Sequence, residues 1–229
     1  MSAGLQSELF RRPRALARNS GIYLVTDTVQ CGDRGVAAVA AAAVAGGVRT
    51  VQVREKHASA SEFHALVLAV ADAVGDRALV LVDDRVDIYL AARAAGARVH
   101  GVHVGQSDLP VTSVRSLVGP DAVVGLTANT PAHLEAVRKL APGTVDYLGA
   151  GVIHPTSTKP DHPAPLGVDG FRAFASAAPL PCVAIGGIGL PDIRDLRSAG
   201  ASGAAVVSAI CTAADPQRSA EELVAAWES

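Results

Sequence analysis

Gln52, Arg54 and Lys56 fall at alternate positions, with Val53 and Glu55 between them. On an extended strand every second side chain faces the same way. An amide, a guanidinium and an ammonium would therefore leave that strand together, and the two cations suit phosphate oxygens. The same block also reads as a solvated strand end with a local ion pair to Glu55, and by itself it does not choose. Further on come Asp83-Asp84-Arg85 and Gln106-Ser107-Asp108. Carboxylates at Asp84 and Asp108, from neighbouring strand ends, would offer hard oxygen ligands to one Mg²⁺. Against this, Asp83 or Asp87 suits the N-cap of a helix starting at Val86, and Asp108 suits a loop cap before Leu109-Pro110. Next to Arg54 and Lys56, the acidic pair points to a metal-bridged pyrophosphate.

A second group of residues points to phosphate. His154-Pro155-Thr156-Ser157-Thr158-Lys159-Pro160 places three hydroxyls and one ammonium between two prolines. The prolines exclude helix and central strand, so the segment is a loop. In isolation it would read as an exposed polar turn. Gly186-Gly187-Ile188-Gly189 and Val207-Ser208 follow the last two apolar runs of the chain. Glycines can mean only a tight turn. With a hydroxyl at the neighbouring strand end, they match a phosphate site built on backbone N–H groups. Thr127-Ala128-Asn129-Thr130 supplies one hydroxyl for the helix at Pro131 and another for the mouth of the site. His103 is expected as a packed or hydrogen-bonded core residue, and His154 and His162 as exposed flanks of the loop. No Ser-His-Asp order or cysteine nucleophile emerges, so covalent catalysis is not supported.

These residues need a scaffold that gathers distant strand ends. From residue 21 onward, short apolar runs alternate with Ala-rich helical segments. Strands are expected near 22–26, 50–53, 78–82, 99–104, 123–126, 145–148, 181–185 and 203–207. Helices are expected near 35–45, 61–74, 86–95, 111–117, 131–140, 168–175, 191–198 and 220–227. Strand–helix alternation implies parallel pairing with right-handed crossovers. Apolar runs without period-two alternation imply strands covered on both sides. Eight such units close a (β/α)8 TIM barrel, an α/β fold whose chemistry sits at the carboxyl ends of the strands. An open doubly wound sheet would show a Gly-rich fingerprint after the first strand, and Thr26-Asp27-Thr28-Val29-Gln30-Cys31 does not fit one.

Composition narrows the function further. The chain has 229 residues, of which 49% are hydrophobic, enough for one large domain. The formal net charge of -2 argues against nucleic acid or an anionic membrane as partner, and 3% aromatic content argues against base stacking. No apolar run reaches the length of a membrane span. Small molecules are the expected partners, with room left for a homo-oligomer. Cys31, Cys182 and Cys211 lack metal-type spacing and fit reduced, buried thiols in a cytoplasmic protein. Residues 1–20 carry Arg11, Arg12, Arg14 and Arg18 without a secretory apolar region. They are expected as an extension to a catalytic barrel spanning 21–229, although their composition also suits a transit peptide.

Taken together, the blocks at 21–27, 52–56, 84–87, 101–110, 146–159, 184–188 and 206–210 resemble the thiamine-phosphate synthase family, in family order. The Gln-x-Arg-Glu-Lys block and Thr-x-Thr-Lys are the specific elements. The resemblance implies that hydroxymethylpyrimidine pyrophosphate loses pyrophosphate dissociatively and that the ring nitrogen of a thiazole phosphate (carboxythiazole or hydroxyethylthiazole) captures the pyrimidine methylene. By position, the segment Gln52, Val53, Arg54, Glu55 and Lys56 would bind the pyrimidine pyrophosphate, with Arg54, Lys56 and Lys159 neutralising its charge. Asp84 and Asp108 would hold Mg²⁺, and Thr127 would contact the pyrimidine substrate. Thr156, Ser157 and Thr158, with Gly187, Val207 and Ser208, would hold the thiazole phosphate.

The chain departs from the family pattern at Asp83, where Asn is common, at Asn129, where His is common, and at Val152 and His154, which replace Pro and Phe. A carboxylate at Asp83 either repels the pyrophosphate or joins the metal shell. Two rivals remain. A thiazole tautomerase shares the fold but generally lacks the paired aspartates and the Thr-x-Thr-Lys loop. A non-catalytic phosphate-binding barrel has no use for metal carboxylates beside a basic strand end.

Overall fold

The computed structural model describes residues 20–156 and 164–229. Apart from Ser20, the expected N-terminal extension lies outside the described residues. The strands are β1 (Gly21–Val25), β2 (Thr50–Val53), β3 (Leu79–Asp83), β4 (Gly101–Val104), β5 (Val123–Thr127), β6 (Tyr147–Gly151), β7 (Cys182–Ile185) and β8 (Gly203–Val206). All neighbours pair in parallel and in chain order, and β8 closes on β1. The helices are α1 (Thr28–Cys31), α2 (Val36–Ala45), α3 (Ala60–Val74), α4 (Val86–Ala94), α5 (Val111–Val118), α6 (Pro131–Arg138), α7 (Gly167–Ala177), α8 (Ile193–Ser198), α9 (Ser208–Cys211) and α10 (Pro216–Glu228). The architecture is a (β/α)8 TIM barrel.

The strands alternate after all, but between two apolar environments. On β1, Ile22 and Leu24 pack outward under the helices, whereas Tyr23 and Val25 point into the barrel. On β3, Val80 and Val82 face outward and Leu79 and Leu81 inward. Period two is invisible in the sequence because both faces are dry. Truncating one of these fully buried leucines to alanine would cost about 2–5 kcal/mol, since the closed barrel cannot collapse onto the cavity.

Helix starts are fixed by local chemistry. Ser59 and Glu62 form a reciprocal capping box for α3. The Thr130 hydroxyl accepts the His133 N–H at 3.2 Å, as expected for the helix opened by Pro131. At the start of β6, the buried Asp146 carboxylate accepts from the Arg115 guanidinium at 2.8 Å and from the Val124 N–H at 2.9 Å. Arg115 also donates to the carbonyls of Gly119, Ala122 and Thr144. Losing one partner of such a buried pair costs about 3–5 kcal/mol, because the other charge is stranded.

Two local differences from the sequence expectation bear on the site. β6 runs through Gly149 and Gly151, later than the 145–148 expected. Glycine lowers strand propensity, yet tertiary packing calls for it here. A β-carbon on Gly149 would lie 2.9 Å from His103 Cε1, and one on Gly125, the β5 neighbour of Tyr147, 2.3 Å from the Tyr147 ring. The short helices α1 and α9 were not expected. They lie just past the ends of β1 and β8.

Candidate active site

The carboxyl ends of the strands enclose a cavity of about 650 Å³, the size of a small-molecule site. Of the residues singled out from sequence, Gln52, Arg54, Lys56, Asp83, Asp84 and Asp108 line it from one side. Thr127, Thr156, Gly187, Val207 and Ser208 line it as well. Strand ends that are far apart in the chain thus share one rim.

The rim of β2 and β3 is a dense charge cluster. Lys56 Nζ lies 2.9 Å from Asp83 Oδ2 and also contacts Asp84 Oδ2. Arg54 reaches Asp83 at 3.9 Å and Asp27 at 3.4 Å. Burial alone would lower the Lys56 ammonium, but the charges and hydrogen bonds of Asp83 and Asp84 hold it above its ordinary value. Asp108 is held above the usual carboxylate range by its burial and by the facing Asp84 carboxyl, against the Gly105 N–H that donates to it at 2.7 Å. Asp84 has a φ of 57°, a left-handed conformation that aspartate tolerates better than most residues. Its N–H donates to the His103 carbonyl at 2.8 Å, which locks this turn to β4. Strained backbone of this kind concentrates at functional sites.

The cavity floor is a chain of hydrogen bonds crossing five strands. Gln52 Nε2 donates to Tyr23 Oη at 3.1 Å, and Tyr23 Oη meets Tyr147 Oη at 2.9 Å. Tyr147 Oη is 3.0 Å from His103 Nδ1, and His103 Nε2 is 3.0 Å from Thr127 Oγ1. Burial, followed by the neighbouring Tyr147, raises the Tyr23 phenol well above its ordinary value. Burial raises Tyr147 too, aided by the charges of Asp83 and Asp146. Both phenols are therefore neutral hydrogen-bonding groups in this site.

Thr156, after β6, and Gly187, after β7, line the cavity as well. Gly187 has a φ of 66°, and a β-carbon there would sit 2.8 Å from that of His154 and 2.9 Å from its carbonyl oxygen. Only glycine fits this close approach. Ser208 heads α9 immediately after Val207.

Some expectations change. Val53 does not line the cavity, because strand alternation turns it outward into the helix-facing core. Glu55 does not line it either. Its carboxylate accepts from the Thr28 hydroxyl and from the backbone N–H groups of His57 and Ala58, so it organises the β2 exit loop instead of pairing locally with a cation. Asp83 and Asp87 do not cap α4, whose N-cap is Arg85 with no side-chain cap bond. Asp83 is drawn to Lys56 and Asp87 to Arg85. His154 is not a bare loop flank, since its Nε2 lies 2.8 Å from Asp192 Oδ1. Ser157, Thr158, Lys159 and His162 lie outside the described residues.

The sequence pattern does not single out Tyr23 and Tyr147, whereas His103 is hydrogen-bonded as expected and also lines the cavity. A signal existed. The chain has three tyrosines, and two of them fall on expected strands inside a barrel, where a phenol needs a partner.

Comparison with known proteins adds independent information. The family model described as thiamine monophosphate synthase matches residues 22–210. A thiamine-phosphate synthase from Corynebacterium efficiens is 51% identical, over 81% of this chain and 86% of that protein. One from Psychrobacter is 40% identical, over 89% of this chain and 93% of its own. Among solved structures, the thiamine phosphate pyrophosphorylase from Pyrococcus furiosus superposes with a TM-score of 0.78 at 29% identity, covering 93% of this chain and 98% of that one. A 3-hexulose-6-phosphate synthase with a TM-score of 0.64 and 20% identity shares the fold.

Proposed function

The chain belongs to the thiamine monophosphate synthase family and is a transferase, and from that premise we propose how its cavity makes thiamine phosphate. The substrates are hydroxymethylpyrimidine pyrophosphate and a thiazole phosphate. The carbon–oxygen bond between the pyrimidine methylene and the pyrophosphate breaks, and its electron pair leaves with the pyrophosphate. The lone pair of the thiazole nitrogen then forms the new carbon–nitrogen bond.

The observation that carries this reading is the convergence of Arg54, Lys56, Asp84 and Asp108 on one rim, with Thr156, Gly187 and Ser208 lining the same cavity. The cations meet the charge that develops on the departing pyrophosphate. The floor of Gln52, His103, Thr127 and the two phenols suits the polar edge of a flat heteroaromatic ring. Gly187 and Ser208 suit a phosphate, joined by Thr156 and, on the resemblance, by Ser157 and Thr158. Lys159 would add its charge to the pyrophosphate side on the same ground. Holding both substrates in one cavity supplies the proximity that the bond-forming step needs.

Mg²⁺ fits the acidic rim. Among the described residues no group of three or more His, Cys, Asp or Glu could hold a metal by itself. Mg²⁺ typically takes one or two carboxylates and completes its shell with water and substrate phosphate. Asp84 and Asp108 are such a pair, and their mutual repulsion, which helps hold Asp108 up, is what a bound cation would relieve. When bound, the ion would supply positive charge to the pyrophosphate leaving group. Among the described residues Asp83 meets both Lys56 and Arg54, whereas Asp84 meets Lys56 alone, so Asp83 is read as a charge partner of those cations and not as a third ligand.

Among the described residues no helix is long and apolar enough to cross a membrane. The free, buried thiols of Cys31, Cys182 and Cys211 suit a reducing compartment such as the cytoplasm.

The test is to incubate the protein with both substrates and Mg²⁺ and to quantify thiamine phosphate and pyrophosphate. Equimolar formation of both is expected, with loss of turnover on chelation. Thiazole isomerisation without coupling would favour the tautomerase. Tight binding of both substrates without turnover would favour a non-catalytic barrel.

A further inference from the structure

The exit of β6 and the glycine loop after β7 form one side of the phosphate cradle. Their contact is tighter than strand pairing requires. The β6–β7 ladder continues past both strand ends, with Ile153 N–H donating to the Ile185 carbonyl and His154 N–H to the Gly186 carbonyl, each at 3.0 Å. At Gly187 the backbone of the second loop presses on His154 and Pro155, whose carbonyl oxygens would lie 2.9 and 3.0 Å from an added β-carbon.

A single carboxylate spans this contact. Asp192 closes the 3-10 turn Leu190–Asp192, just before α8. Its Oδ1 lies 2.8 Å from His154 Nε2, and its Oδ2 accepts the Gly189 N–H at 2.8 Å. One oxygen holds the β6 exit and the other holds the glycine loop. Neither His154 nor Asp192 lines the cavity, whereas Thr156 and Gly187, their near neighbours in sequence, both do. The pair can thus act on a ligand only through the loops it joins.

We propose that His154 and Asp192 are a positioning couple that sets the spacing of Thr156 and Gly187, and so sets affinity for the thiazole phosphate. The proposal rests on the assignment of this side of the cavity to the thiazole phosphate. Hydrogen bonds to a charged group are among the stronger ones in proteins. Anion sites built from backbone N–H groups depend on where those groups point. Releasing one end of the carboxylate frees one loop to shift relative to the other, and small misplacements of bound groups are costly.

The experiment is steady-state kinetics on His154→Ala, Asp192→Ala, the double variant and His154→Gln, with Ser208→Ala as a probe of the cradle itself. Thermal unfolding of each variant confirms that it is folded. The KM for the thiazole phosphate is expected to rise about tenfold in each alanine variant. The double variant should be no worse than either single one, as for two residues acting as one unit. The KM for the pyrimidine pyrophosphate should stay in place, with kcat at saturation within about twofold of the parent. His154→Gln, whose amide can still donate to Asp192, should keep most of the parent affinity. An unchanged thiazole KM in both alanine variants, while Ser208→Ala raises it, overturns the couple and leaves the cradle standing. If Ser208→Ala also leaves that KM unchanged, the cradle assignment fails and the couple fails with it. Equal rises in both KM values, or loss in His154→Gln as large as in His154→Ala, would mean general damage to the fold and also overturn the proposal.

Discussion

The phenol oxygens of Tyr23 on β1 and Tyr147 on β6 meet 2.9 Å apart inside the barrel, 124 residues apart in the chain. Their rings stand edge to face, 6.2 Å between centroids. Each phenol also has a second partner, Gln52 for Tyr23 and His103 for Tyr147. The cavity floor is therefore one continuous polar network in a dry interior, where its members depend on one another.

That dependence is measurable. Tyr23→Phe and Tyr147→Phe should each lower stability by about 1–3 kcal/mol, because each leaves buried polar groups unmatched. The double variant should cost less than the sum by about 1 kcal/mol. Chemical unfolding of all four proteins gives the coupling directly. Strict additivity would mean that the hydroxyls are not coupled.

Asp83 is predicted to set the charge that the substrate must displace. Its carboxylate holds Lys56 at 2.9 Å. Asp83→Asn removes one negative charge on that side of the cavity and leaves Lys56 paired with Asp84 and Arg54 with Asp27, so both cations carry less compensating charge. The KM for the pyrimidine pyrophosphate should fall by roughly three- to tenfold, more at low salt than at high salt. A higher KM would show that the carboxylate assists binding, as a metal ligand would.

Asp108 is predicted to matter through the ion. Asp108→Ala should raise the Mg²⁺ concentration for half-maximal rate by about tenfold or more. Calorimetric titration of Mg²⁺ with inorganic pyrophosphate should show the same weakening without turnover. Superimposable curves for parent and variant would take Asp108 out of the metal shell.

His100 immediately precedes β4, at the end of that strand away from the rim, and is predicted to govern acid stability. Its Nδ1 accepts the Val80 N–H at 3.0 Å, which requires the neutral ring. Burial, with nearby Arg93, depresses its pKa from 6.5 to about 4. Between those values the unfolded chain binds the proton more readily than the folded one. The contribution is thus full above pH 6.5 and is lost as pH falls toward 4, amounting to about 3 kcal/mol. His100→Asn keeps an acceptor but cannot titrate, so its stability should decline less across that window. Parallel curves from pH 7 to 4 would exclude His100 as the origin.

The fold was legible because strand–helix alternation repeats along the chain, and a repeat of parallel units leaves few closed solutions. Gln52, Arg54 and Lys56 were legible for a local reason, since strand alternation sends all three to one side. The same rule turns Val53 outward. What alternation could not reveal is the role of Gly125 and Gly149. They weaken a strand by propensity, yet they make room for the His103 and Tyr147 side chains.

The sequence by itself determined the barrel and the kinds of groups on its rim, since both follow from interactions between residues close in the chain. Tertiary structure alone decided which of those groups meet. Tyr23 faces Tyr147, Asp84 faces Asp108 and Asp192 reaches His154. Each of these contacts joins separate strand–helix units. Closing the barrel brings those units together, and where the contact is fully buried, as between Tyr23 and Tyr147, water no longer competes for the hydrogen bond.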